Sequence, residues 1–181
     1  MILKTPRLIL RPFAETDAGD LYAYAKDPRV GPAAGWPPHT SVENSLDIIR
    51  TVFSAPNVFA LVDKQSAAVI GSAGFVGRHR TELPRPDEEL GYALSPQFWG
   101  RGLMSEAARE LIRFGFEDLG LHTIWCNHYD GNERSRRVIE ACGFCHQFSQ
   151  EEAVELMGER RMTHYYALSR EEWAARQAVR L

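Results

Sequence analysis

Gly100 and Gly102 stand one residue apart where a strand-like run meets a helix-like run, and this junction restricts the fold more than any other segment. Before it, residues 88–94 alternate with the period of two that marks a strand. After it, residues 102–118 place Met104, Ala107, Ala108, Leu111 and Ile112 on one helical face, and Gly120 supplies a stop. A strand, a glycine turn and a helix aim unpaired backbone N–H groups and the positive end of the helix dipole at one point, where a pyrophosphate can bind. Glycine suits such a turn because a Cβ would block the anion or forbid the φ required. A tightly packed helix-entry turn would look the same, so the glycines alone leave both readings open. The P-loop pattern lacks its Lys-Ser or Lys-Thr after Gly102, and the dinucleotide fingerprint lacks its third glycine.

Elsewhere the chain switches between the same two periods. Residues 7–11 (RLILR) read as a strand and 14–26 as a helix with Thr16 as its cap. Residues 30–40 (VGPAAGWPPHT) read as a loop presenting an exposed Trp36, and Ser41 opens a helix reaching about Ser54. Residues 57–63 and 67–77 form a hairpin, 78–87 a polar loop, and 122–128 another strand. Asp130-Gly131-Asn132 turns into a helix that Gly143 ends, strands follow at 144–149 and 161–169, and a last helix spans 170–180. That order predicts a mixed sheet with helices on both faces.

With 181 residues, 44% hydrophobic and 25% charged, residues 1–181 are expected to form a single domain with a real core. A net charge of -3 without any basic run argues against nucleic-acid binding. Lys4, Pro6, Arg7 and Arg11 break up the N-terminal apolar residues, and no apolar stretch approaches a membrane span, so a cytoplasmic protein without membrane contact is expected. Cys142-Gly143-Phe144-Cys145 has redox or zinc spacing. However, it closes a helix C-terminus, where the dipole opposes a thiolate, and His122, His128 and His146 complete no zinc pattern. Both thiols are expected to be buried and structural, and no metal is expected.

Gln97-x-x-Gly100-x-Gly102 resembles the acyl-CoA signature of the GNAT superfamily of N-acetyltransferases. Residues 5–12 (TPRLILRP), 90–96 (LGYALSP), 99–107 (WGRGLMSEA), 114–116 (FGF) and 132–144 (NERSRRVIEACGF) follow in the order of the branch similar to ribosomal-protein alanine N-terminal acetyltransferases. The resemblance spans about residues 5–168. It implies an α/β (α+β) fold: a mixed, mostly antiparallel sheet splayed in the middle, with helices on both faces and acetyl-CoA in the cleft. The pyrophosphate would rest on the N–H groups of Trp99, Gly100, Arg101, Gly102, Leu103 and Met104, with Gln97 leading in. The pantetheine arm would pair with Ala93, Leu94 and Ser95 in strand fashion. Arg101 and Arg137 are either phosphate partners or solvated surface charges.

Acetyl transfer to an amine needs the amine neutral. At pH 7 that costs about 4.6 kcal/mol for a lysine but only about 1 to 1.4 for an α-amine, so an α-amine asks less of a base. Alternation puts Glu89, Gly91 and Ala93 on one face and Glu88, Leu90 and Tyr92 on the other, and the resemblance makes Glu89 the base unless a water chain suffices. A backbone N–H near Ala93 or Leu94 would hold the developing oxyanion. The family's usual acid, a tyrosine four residues before Gly-Phe, corresponds here to Ile139. Asn132, Ser135, Ile139 and Cys142 share a helix face. By resemblance Ser135 would approach the sulfur as an acid or hydrogen-bond donor. Asn132 would bind pantetheine or a water, or else simply cap the helix.

Trp36 and His39 in one loop, and His79 and Arg80 in another, would flank the acceptor side. The resulting expectation is an acetyl-CoA-dependent N-acetyltransferase, monomer or homodimer, acting on a protein N-terminus or a small amine. A non-enzymatic acyl-CoA-binding regulator is the alternative, and a thiol redox protein a weaker third.

Overall fold

The structure, a computed structural model, describes residues 1–80 and 83–178. Thr81 and Glu82 of the expected 78–87 loop, and the end of the expected last helix at 179–180, lie outside the described residues. Among the described residues eight strands form one sheet: β1 (Leu3–Lys4), β2 (Leu8–Arg11), β3 (Val58–Asp63), β4 (Val69–Phe75), β5 (Asp87–Leu94), β6 (Thr123–Tyr129), β7 (Cys145–Val154) and β8 (Glu159–Ser169). Their spatial order is β1-β2-β3-β4-β5-β6-β8-β7, and only the β5–β6 pair is parallel.

Two helical layers cover the sheet. On one face α1 (Ala18–Ala25) and α3 (Val42–Thr51) bury Leu21, Tyr24 and Ile49 against Ala60, Val62, Val69 and Ala93. On the other, α4 (Leu103–Glu117) and α5 (Glu133–Ala141) bury Leu111, Ile112, Phe114 and Ile139 against Leu8, Leu61, Ile70 and Leu90. The apolar stripe read from the sequence of α4 is the stripe that is buried, each such side chain contributing about 1.5–3 kcal/mol. Ser41 caps α3 as expected, its Oγ accepting from Asn44 N at 3.0 Å. The last helix, α6 (Arg170–Ala178), sets Trp173 against Phe116 with ring centroids 5.4 Å apart.

Several local readings need correction. Thr16 does not cap the first helix: it lies inside a 3-10 turn, Glu15–Asp17, and α1 begins only after Asp17. The 30–40 segment is not all loop: Gly31–Ala34 forms one helical turn, α2, started by Pro32 and stopped by Gly35. The final strands are longer than expected and meet in a hairpin at 155–158, because β7 is a mostly exposed edge strand with little hydrophobic alternation to read. The two-residue β1 gives no periodic signal at all.

A carboxylate ties the N-terminus to α4. Glu106 accepts from Thr5 Oγ1 at 2.6 Å, Arg7 N at 2.8 Å and Arg7 Nε at 2.7 Å, while Arg7 Nη1 donates to the Arg101 carbonyl at 2.8 Å. Burial pushes the Glu106 carboxyl upward, but the Thr5 and Arg7 hydrogen bonds outweigh it and hold it below the usual range. Glu106→Ala is expected to cost roughly 1–2 kcal/mol at neutral pH, the exposed Arg7 contributing least. Since a lowered folded pKa stabilises above the unfolded value, the gap to the parent should close as pH falls through the folded value. Urea unfolding at pH 7 and at pH 3 would check both.

Candidate active site

β5 leaves β6 midway. The two strands pair only at Asp87–Glu89 with Thr123–Trp125, whereas β4 continues along β5 through Leu94. From Leu90 onward β5 therefore presents a free backbone edge. The pairings Val76 N to Glu89 O (3.0 Å) and Ser95 N to Ile70 O (2.8 Å) show that odd-numbered residues direct their backbone groups at β4. Leu90, Tyr92 and Leu94 thus face the opening. Ala93 and Ser95, expected to pair with a pantetheine arm, spend their N–H groups on β4 instead. The Leu94 carbonyl is taken by Trp99 Nε1 at 2.9 Å, which leaves the Tyr92 and Leu94 N–H groups to the opening.

At the end of the opening lies the glycine junction. Gly100 (φ +74°) and Gly102 (φ +71°) both adopt the left-handed backbone, and Gly102 is the N-cap of α4. A Cβ on Gly100 would meet nothing within 4 Å, so φ rather than crowding accounts for these glycines. Among the described residues the N–H groups of Gly100, Arg101, Gly102, Leu103 and Met104 make no backbone hydrogen bond. The Trp99 N–H is the exception to the expected cradle, being given to Pro96 O at 3.2 Å. Trp99 contributes its ring instead, stacked 3.8 Å beneath the Arg134 guanidinium. These free donors fit the pyrophosphate of acetyl-CoA.

A cavity of about 1040 Å³ runs from this junction through the sheet. Its wall includes Ala93, Leu94, Trp99, Gly100, Gly102, Leu103 and Met104 on one flank, and Asn132, Ser135 and Arg137 on the other. Trp36 and Glu89 lie on it further in. Ser95, Gln97, Arg101 and His79 lie outside that wall. Gln97 is exposed on the short turn before the junction, and Arg101 lies beside the Phe98 ring. His79 instead contacts the Asp87 carbonyl through Nδ1 at 2.7 Å. Trp36 is half-buried rather than exposed, packed so closely on Gly31 that a Cβ there would come within 2.6 Å of its ring. His39 turns to Ser45, Nδ1 to Oγ 2.8 Å, and burial lowers its pKa.

Side-chain alternation on β5 separates two chemistries. Glu89 is 4% exposed on the α1/α3 face, where Asn127 Nδ2 donates to its Oε1 at 2.9 Å while Oε2 has no hydrogen-bond partner among the described residues. Arg78 Nη1 also donates to Oε1 in a long contact of 3.5 Å, whereas Arg80 stands 3.7 Å from Oε2 at ion-pair distance only, held against the Tyr165 ring at 3.6 Å. Burial is the largest influence on the Glu89 carboxyl and raises its pKa, with Arg78 and Arg80 offsetting part of the rise.

Tyr92 points the other way, and its Oη lies 2.9 Å from Ser135 Oγ. Ile139, in the position of the family's usual tyrosine, is 1% exposed in the core. Asn132 caps α5 by accepting from Ser135 N at 3.2 Å, and also donates Nδ2 to Ala33 O at 3.1 Å, tying α2 over the cleft. Asn127 and the buried Arg80–Glu89 contact are absent from the sequence analysis, and Tyr92 enters it without a role; only their placement on facing strands and helices reveals them. The expectation of two buried cysteines is also corrected. Cys145 is exposed and Cys142 half-buried, both free, with burial pushing Cys142 up to about 11, away from thiolate reactivity.

Unbonded backbone N–H groups at a helix N-terminus and a buried carboxylate thus lie along one cavity. The chain belongs to the GNAT acetyltransferases: the family model described as Acetyltransferase (GNAT) domain matches residues 7–145. The uncharacterized N-acetyltransferase p20 of Bacillus licheniformis is 31% identical over 147 residues, covering 78% of this chain and 81% of the relative. The [ribosomal protein uS5]-alanine N-acetyltransferase of Escherichia coli is 26% identical over 184 residues, covering 94% and 92%. In fold, the chain is similar to a GNAT-family acetyltransferase from Bacillus anthracis, with a TM-score of 0.83 at 24% identity over 95% of this chain and 100% of that one. The chain is thus an N-acetyltransferase, and its family uses acetyl-CoA as the acyl donor.

Proposed function

We propose that this enzyme acetylates the α-amine of a protein or peptide N-terminus by direct attack in a ternary complex. The observation that carries this reading is the Glu89 carboxylate, buried on the cleft wall with Oε1 held by Asn127 and Oε2 without a hydrogen bond. A single carboxylate with a modestly raised pKa is a sufficient base for an α-amine, which surrenders its proton about 3 kcal/mol more cheaply than a lysine. The mouth on this side has an apolar rim of exposed Val52, Val76 and Leu156, suited to residues that follow an N-terminus. The Escherichia coli relative, named for an N-terminal alanine, supports the same acceptor class.

In this reading acetyl-CoA supplies the thioester when bound, and the chain's groups divide the work. The N–H groups of Gly100 to Met104 hold the pyrophosphate, with Arg137 beside them. The Tyr92 and Leu94 N–H groups face the thioester oxygen, and Asn132 retains one Nδ2 hydrogen for the pantetheine. Glu89 takes the amine proton, and Ser135 attends the sulfur. The setting is cytoplasmic. Among the described residues no helix is long and apolar enough to cross a membrane.

A small amine is the second reading. Glu152 also lines the cavity and acts electrostatically on Glu89, which would suit an acceptor with two cationic centres. Thiol release from acetyl-CoA with N-terminal peptides, Nα-blocked lysine peptides and polyamines tests the assignment. Turnover with free α-amines and not with blocked peptides is expected. Turnover confined to polyamines would transfer the assignment to small amines, and acetyl-CoA binding without any turnover would leave a regulatory acyl-CoA-binding module.

A further inference from the structure

Ser135 does not meet the cleft alone. Tyr92 Oη lies 2.9 Å from Ser135 Oγ and 3.3 Å from the Ser135 carbonyl oxygen, across the gap where β5 and β6 have parted. Both partners are fixed from behind. The Tyr92 ring packs on the core under α4 and α5, and the Ser135 backbone is held by the Asn132 cap. Two hydrogen arrangements satisfy these distances. In one, Ser135 donates to Tyr92, which donates to the serine carbonyl. In the other, Tyr92 donates to Ser135 Oγ, and the serine hydrogen is free to point into the cavity. Negative charge arriving in the cavity selects the second.

We propose that Tyr92 is a positioning residue for thiolate departure: by donating to Ser135 Oγ it turns the serine hydrogen toward the sulfur. The inference rests on the acetyl-transfer reading above. As the amine N–C bond forms and the C–S bond breaks, the electron pair passes to sulfur, where the Ser135 O–H stabilises it by hydrogen bonding. The proton that completes the thiol is the one the amine released, delivered through Glu89 and water, so Ser135 never becomes an alkoxide. Burial raises the Tyr92 pKa well above that of an ordinary phenol, which keeps it a donor throughout. The buried Ile139 offers no hydroxyl one turn further along α5, so the pair on adjoining elements fills that need.

The test needs no acceptor. Coenzyme A is bound to the parent, Tyr92→Phe and Ser135→Ala, and its thiol is titrated by thiolate absorbance as a difference against the free proteins. The other groups that bear on this site are the Cys126 and Cys142 thiols, both raised by burial and removed by the difference, and the Arg134 and Arg137 side chains on α5. Bound coenzyme A should ionise more readily than free in the parent, and either variant should reduce the ratio of thiolate to thiol about three- to ten-fold with coenzyme A affinity preserved. Where an acceptor from the panel turns over, Tyr92→Phe should lower kcat about ten-fold, leave KM for acetyl-CoA unchanged, and add nothing in the Ser135→Ala background. An unshifted thiol titration, or independent additive effects in the double variant, would overturn the proposal. Failure of coenzyme A to bind the parent would instead defeat the acetyl-transfer reading itself. Tyr92→Phe keeps the ring, and an unchanged Tm verifies the fold.

Discussion

Glu89→Gln lowers kcat/KM about 10²- to 10³-fold at pH 7, leaves acetyl-CoA affinity unchanged and does not lower Tm. The first part follows from replacing a buried carboxylate on the cavity wall whose Oε2 has no hydrogen-bond partner among the described residues. The second follows from alternation on β5, since Glu89 and the donor-side groups project to opposite faces. The third is a matter of sign. A carboxyl raised by burial favours the folded state below its unfolded pKa, and that contribution is lost as pH rises through the folded value. At neutral pH the ionised Glu89 is therefore a net cost to stability, and the amide removes it while Oε1 still accepts from Asn127. Activity should run oppositely in pH, rising through the same elevated pKa as the base ionises, and this ascending limb should vanish in Glu89→Gln. A variant within a few-fold of the parent would mean that a water chain carries the proton.

The second large effect concerns donor binding. Gly102→Val forces a β-branched residue to φ +71°, a conformation costing an L-residue roughly 1–2 kcal/mol, and any relief rotates the N–H groups that begin α4. Isothermal titration should show acetyl-CoA binding weakened at least ten-fold, or about 1.4 kcal/mol, with the fold retained. Gly19→Ala is a suitable control, because Gly19 lies inside α1 with nothing within 4 Å of its Cβ position and should bind like the parent. Unimpaired binding by Gly102→Val would place the pyrophosphate elsewhere.

Features that depend on neighbours in the chain were legible from the sequence: the α4 stripe, the caps at Ser41 and Asn132, and the glycine junction itself. Features that depend on distant partners were not. Tyr92 and Ser135 are 43 residues apart, and Glu89 and Asn127 are 38 apart, so no local period links them. Position in a motif also failed to specify direction. Ala93 stands in the expected strand with its N–H turned to β4. The long β7–β8 hairpin escaped because an edge strand with both faces largely wet leaves no alternating imprint.

The alternation along β5 also bears on how such an enzyme can diversify. In the proposed mechanism the odd positions carry the base, Glu89, and the even positions carry Tyr92, which serves the leaving group through Ser135 of α5, so substitutions on one set leave the other undisturbed. Amine preference can drift while loyalty to the acetyl donor is conserved. A single-residue insertion or deletion within residues 87–94 would exchange the two sets at once, so this lineage can afford length changes in the surrounding loops but not in this one strand.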